Sequence, residues 1–146
     1  MRKVKGVTLV ELAIVITIFF IVFIMLTPLV NKMRDRANII KCSNNIRLIS
    51  LALHMYAADH DEAFPPALAD LYPSYVKERK VFICPSVGDS AAPGRIDYEY
   101  VPGMTESSPS TEVIIYDRAT NHKGKGRNIV RVNGSVEWLE GAVAKR

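Results

Sequence analysis

At 146 residues and 16.3 kDa the chain has room for one modest domain plus one long element, which excludes a multidomain assembly. Hydrophobic residues make up 49% of it and the mean hydropathy is +0.09, but the excess sits at the N-terminal end and the rest reads as a polar globular chain. The formal charge of +4 would suit nucleic acid, yet without Arg2, Lys3 and Lys5 the balance is 16 basic against 15 acidic side chains with no basic stripe, so no nucleic-acid partner is expected.

Leu12 to Val30 is a run of nineteen residues, LAIVITIFFIVFIMLTPLV, without a formal charge. At about 1.5 Å per helical residue it spans about 28 Å, the hydrocarbon thickness of a bilayer. A soluble amphipathic helix would show a polar face, and none is present. A secretory signal peptide has a shorter apolar core ending in a small-x-small site. This run is longer and ends in TPLVNKMRDR. The segment is read as a membrane helix.

The run is preceded by MRKVKG and then VTLVEL: a short basic leader, a glycine, an apolar residue and Thr-Leu-Val-Glu. This pattern resembles the class III signal of type IV prepilins and of the pseudopilins of type II secretion. The resemblance implies that a membrane peptidase cuts after Gly6 on the cytoplasmic face and methylates the new amino terminus at Val7. It places Glu11 as the acidic residue that meets the N-terminal amine of a neighbouring subunit during assembly. Val7 stands where the family usually has Phe. Independently of the resemblance, a carboxylate in a membrane helix costs roughly 2–4 kcal/mol and calls for a partner or a task; a glutamate reaching the headgroups is the plainer alternative. Lys32, Arg34, Arg36 and Lys41 follow the span, so basic residues alone do not orient it. A cytoplasmic N-terminus and a periplasmic or exported C-terminal domain, single-pass in the inner membrane, rest on the resemblance.

Beyond the span, Met33, Ala37, Ile40, Asn44, Leu48, Leu51 and Met55 recur at helical spacing, with Ile39, Ile46, Ile49, Leu53 and Tyr56 widening the stripe under a sheet. Pro28 interrupts the helix, and a kink or local melting is expected near Thr27. The helix should end between Ala58 and Glu62, before Phe64-Pro65-Pro66. A short helical turn is expected at Ala67 to Leu71, an extended segment at 81–84 (VFIC), and strands at Tyr98 to Val101 and Glu112 to Asp117. NIVRV, Asn133-Gly134 and SVEWL read as a hairpin closed by a two-residue type I′ turn. The expected architecture is α+β, with three or four antiparallel strands on the C-terminal half of the helix. The segments are leader 1–6, membrane half 7–30, amphipathic half 31–62 and head 63–146. CSNNIRLISLALHMYAADH, FICPS, IIYDRATNH and VNGSVEWL also resemble a pilin-like subgroup with His, nine residues, then Asp-Gly. Here ten residues and Asn133-Gly134 follow His122, which puts that aspartate's role in doubt.

Cys42 and Cys84 are the two cysteines, without a CxxC or a Cys/His spacing suited to zinc. An exported domain favours an oxidised Cys42–Cys84 pair closing a long loop; separately buried thiols are the alternative. Asp59, His60, Asp61 and Glu62 read as a solvated helix end, and His54 as a packed histidine. Gly124-Lys125-Gly126 lacks the rest of a phosphate loop. No cofactor is expected; Asp117 and His122 are the weaker case for calcium. No nucleophile has a visible base and orienting group, so no enzymatic activity is expected. The implied partners are further copies in a homo-oligomeric filament, prepilin peptidase, an inner-membrane assembly platform, and membrane lipid before assembly. The reading is a filament subunit, most specifically a type II secretion pseudopilin, with a membrane-anchored binding module for adhesion, DNA uptake or substrate recognition as the alternative.

Overall fold

The computed structural model describes residues 8–88, 94–118 and 120–141; Gly6 and Val7 lie outside them. The chain divides into two compact units, Met1–Arg36 and Ala37–Arg146.

The first unit is helical from Leu9, where α1 (Leu9–Asp59) begins. Every residue from Leu9 to Val30 is exposed, including Phe19, Phe20 and Phe23, so this helical surface has no protein covering it. The melting expected near Thr27 does not occur, and α1 is assigned as one helix through Pro28. Proline removes a single backbone bond, and the cooperative turns on either side hold the helix. The Thr27 hydroxyl donates back to the Phe23 carbonyl at 2.9 Å.

In the second unit, α1 ends at Asp59, inside the expected window. Asp61 and Glu62 take positive φ of 51° and 64°, and the Glu62 N–H caps the Ala57 carbonyl at 2.9 Å. Cys42, Ile46, Ile49, Leu53 and Ala57 form the buried face, spaced by three and four residues, with Ser50 and Ala52 beside them. This corrects the sequence expectation. Met33, Ala37, Ile40, Asn44, Leu48, Leu51 and Met55 are all exposed, and of the residues thought to widen the stripe Ile46, Ile49 and Leu53 are the core while Ile39 and Tyr56 are half-buried. Both stripes are apolar enough to bury, and one sheet covers only one of them.

The sheet is a four-stranded antiparallel meander in the order β1 (Tyr98–Tyr100), β2 (Val113–Asp117), β3 (Gly126–Arg131) and β4 (Val136–Glu140). Ile114, Ile115, Val130 and Val132 join the buried face of α1 with Phe64, Leu68, Leu71, Val76 and Phe82 in one core. The result is α+β as expected. Leu68–Leu71 forms the anticipated turn as a 3-10 helix. Of the segment read as extended, Val81 and Phe82 instead close a 3-10 turn, Arg79–Phe82, and Ile83 after it has extended backbone. Its exit is tied down by the Asn45 amide, which donates to the Ile83 carbonyl at 3.2 Å, and by Asp97, whose N–H bonds the Phe82 carbonyl at 2.9 Å.

The final hairpin pairs Val130 with Val136 and Asn128 with Trp138. Its turn is not the two-residue type I′. Only Gly134 has positive φ, at 77°, and its N–H bonds the Arg131 carbonyl at 2.9 Å while Arg131 N–H bonds Ser135. That is a three-residue connection closing on a left-handed glycine. Val132 explains the difference: it is buried, and its N–H bonds the Glu112 carbonyl at 2.9 Å, so the chain stays bound to β2 one residue further before turning.

Candidate functional site

The N-terminal signal and a buried cluster in the head are two separate chemical features. At the start of α1, Thr8 and Glu11 form a reciprocal capping box. Thr8 N–H and its hydroxyl donate to Glu11 Oε2 at 3.1 and 3.0 Å, and Glu11 N–H donates to Thr8 Oγ1 at 3.3 Å. The S/T-x-x-E spacing is a sequence signature of this cap, and Thr8-Leu9-Val10-Glu11 carries it; the sequence reading weighed an ionic partner or the headgroups for Glu11 and not this cap. The cap satisfies a free N–H at the helix start and gives the carboxylate a local partner, while leaving the side chain fully exposed to a neighbour.

In the head, four residues far apart in sequence converge in the core. Cys42 comes from α1, Cys84 follows the second 3-10 turn, Asp117 ends β2, and His122 lies in the loop before β3. All four are buried, at 3% exposure or less. The two cysteines are free thiols with their sulfurs 3.4 Å apart. Cys42 Sγ lies 3.0 Å from Asp117 Oδ1 and 3.4 Å from the Tyr98 hydroxyl. His122 Nε2 lies 2.9 Å from Asp117 Oδ2 and 3.9 Å from Cys84 Sγ, while its Nδ1 faces Ser86 Oγ at 2.9 Å.

The buried Asp117 carboxylate is well solvated by protein. Asn128 donates to Oδ2 from its backbone N–H at 2.8 Å and from its side-chain amide at 2.7 Å. Burial opposes ionisation of Asp117, but hydrogen bonds from His122, Cys42 and Asn128 outweigh it and hold its pKa below the usual carboxylate range. His122 shows the same competition in reverse: burial lowers its pKa, and Asp117 with Cys84 more than restores it, to about 9. The hydrogen bond from Cys42 and the neighbouring His122 lower Cys84 to about 5 against its burial, and Cys42 is pushed up.

Cys84 and Asp117 both approach the same ring nitrogen, Nε2, so the imidazole cannot relay a proton between those two; its other nitrogen, Nδ1, faces Ser86. Calcium suits the cluster poorly, since it takes about 6–8 oxygen ligands and here meets two sulfurs, an imidazole and one carboxylate.

The sequence reading treated Cys42 with Cys84, and Asp117 with His122, as two unrelated pairs. It missed Ser86, Tyr98 and Asn128 altogether. The available signal was the spacing of Cys42 with Ile46, Ile49 and Leu53, which puts the thiol on the core face of α1. Asn133 serves the hairpin turn, where its side chain accepts from Ser135 N–H at 3.0 Å. His54 bonds Glu106 at 2.6 Å and packs edge-on against Phe64, and Asp59 to Glu62 form the exposed helix end.

No curated protein and no solved structure matches the chain. A family model, the prokaryotic N-terminal methylation motif, matches residues 1–27, which takes in the leader, Gly6, Val7, Glu11 and most of the apolar run. The chain thus carries a type IV pilin-like prepilin signal, the mark of a membrane-anchored protein processed by prepilin peptidase, on an α+β arrangement of the pilin kind.

Proposed function

We propose that the protein is a structural subunit of a type IV pilin-like filament, most specifically a pseudopilin of a type II secretion-like machine. The observation that carries this reading is the methylation motif set directly on a helix whose apolar surface is exposed along its whole first half. Such a surface is stable in lipid, with the N-terminus cytoplasmic and the head exported. It is equally stable against identical helices once subunits leave the membrane. Assembly exchanges one apolar neighbour for another, and Glu11 adds to its Thr8 cap the Val7 amine of an adjacent subunit. The exposed stripe Leu48, Leu51 and Met55 extends the packing surface into the second unit, where it borders a groove with Tyr75, Val76 and Val81. A subunit of this kind acts mechanically.

Expression with a cognate prepilin peptidase tests the reading. The mature chain should begin at Val7, with residues 1–6 lost and one methyl group gained on intact mass, and should be recovered in sheared or pelleted filaments. A mature chain that starts after the apolar run, or one that is processed at Gly6 but stays unassembled beside a complete assembly platform, counts against it. The second outcome would favour the anchored binding module.

A further inference from the structure

We propose that Cys42, Cys84 and His122, closed by the carboxylate of Asp117, form a binding site inside the head for one divalent cation of the zinc class. The sulfur and ring-nitrogen atoms of the first three lie within 4.8 Å of one another, all of them buried. Tetrahedral zinc, with metal–sulfur bonds of about 2.3 Å and metal–nitrogen bonds of about 2.0 Å, sets two sulfurs about 3.8 Å apart and sulfur and nitrogen about 3.5 Å apart. The protein holds the two sulfurs at 3.4 Å, and Cys84 Sγ and His122 Nε2 at 3.9 Å, each about 0.4 Å from those edges. Asp117 lies against the opposite edge, 3.0 Å from Cys42 Sγ through Oδ1 and 2.9 Å from His122 Nε2 through Oδ2. Shifts of these side chains that draw Cys42 Sγ and His122 Nε2, held within 4.8 Å, closer together and turn one Asp117 oxygen toward the ion open a four-donor cage.

The surrounding shell is that of a ligand set. Ser86 Oγ faces His122 Nδ1 at 2.9 Å, so a proton on Nδ1 has an acceptor and Nε2 is left for the ion. Asn128 steers the Asp117 carboxylate with two hydrogen bonds. Two sulfurs and an imidazole select a borderline-soft ion over magnesium or calcium. A Cys42–Cys84 disulfide is the rival occupant of the same space. It would use the two sulfurs alone and leave the His122–Asp117 pair outside the bond, whereas a cation engages all four groups and offsets their charge. Entry of the ion displaces the protons carried by the Cys42 and Cys84 sulfurs and by His122 Nε2; each leaves to solvent, and no oxidation state changes.

The full-length protein, purified in detergent micelles under anaerobic reducing conditions and stripped with chelator, is titrated with cobalt(II) and then zinc(II). One cobalt per chain is expected, with a thiolate charge-transfer band in the near ultraviolet and the intense visible bands of tetrahedral cobalt, displaced by one zinc. Bound zinc should also protect both thiols from alkylation, and Cys84→Ser and His122→Gln should each lose the charge-transfer band or its intensity. The wild-type titration decides the matter without requiring any variant to fold. Absence of both band sets in the reduced wild-type chain overturns the proposal. So does an intact mass lower by two hydrogens in the chain isolated from the envelope of a processing host, which would establish the disulfide.

Discussion

Leu51 and Leu53 are the same residue type two positions apart on α1, and the structure assigns them opposite fates. Leu53 is 1% exposed among Ile46, Ile49 and Ala57, whereas Leu51 is 57% exposed. Truncating Leu53 to alanine removes buried methyl groups and leaves a cavity that the sheet residues can only partly fill, a cost of about 3 kcal/mol. Truncating Leu51 removes no buried contact within the head and slightly raises helix propensity, so its cost should stay within about 0.5 kcal/mol. Trp138 is the single tryptophan and stands on β4, so its fluorescence reports unfolding of the head in full-length protein held in detergent micelles. With a denaturant slope of about 1.5 kcal/mol per molar urea, Leu53→Ala should lower the midpoint by about 2 M, and Leu51→Ala should barely move it. The order should reverse in assembly: Leu51→Ala should lower filament yield although its head is intact. Equal midpoints for the two variants, or a larger shift for Leu51→Ala, would refute the assignment of the helix faces.

Glu11→Ala should still insert in the membrane and be cut after Gly6, because it makes the span more apolar, yet its recovery in filaments should fall to background; normal incorporation would remove the Glu11–amine contact from the mechanism. Gly126→Ala places a Cβ against the Leu139 carbonyl oxygen and 2.6 Å from the Trp138 ring, inside the Gly126–Glu140 pairing. Since a backbone oxygen cannot yield as a side chain can, the head should lose about 1–3 kcal/mol and the Trp138 emission should shift; wild-type stability would show that β4 is misplaced. Asn128→Ala removes the 2.7 Å bond to the buried Asp117 carboxylate and should cost about 2 kcal/mol in the same unfolding assay, with no effect on processing at Gly6.

The N-terminal half of the chain is legible without a structure because its chemistry is local. A glycine after a basic leader, Glu11 and nineteen uncharged residues act on a peptidase and a bilayer through residues adjacent in sequence. The same holds for the end of α1 and for the four strands, whose composition and flanking turns mark them. Tertiary structure decided what depends on a second surface. Which of two apolar stripes on α1 is buried follows from where the sheet lies, and periodicity alone assigned Leu48, Leu51 and Met55 wrongly. The hairpin turn was misread for a related reason: Asn133-Gly134 permits a type I′ turn, but the hydrogen bond from Val132 to Glu112, the residue just before β2, overrides the local preference. The head cluster is the extreme case. Cys42 is 42 residues from Cys84 and 75 from Asp117, and Cys84 is 38 from His122. No spacing motif links positions so far apart. They meet because burying Ile46, Ile49 and Leu53 beneath β2 and β3 fixes the register of helix against sheet, and the donors are carried to one point by that packing.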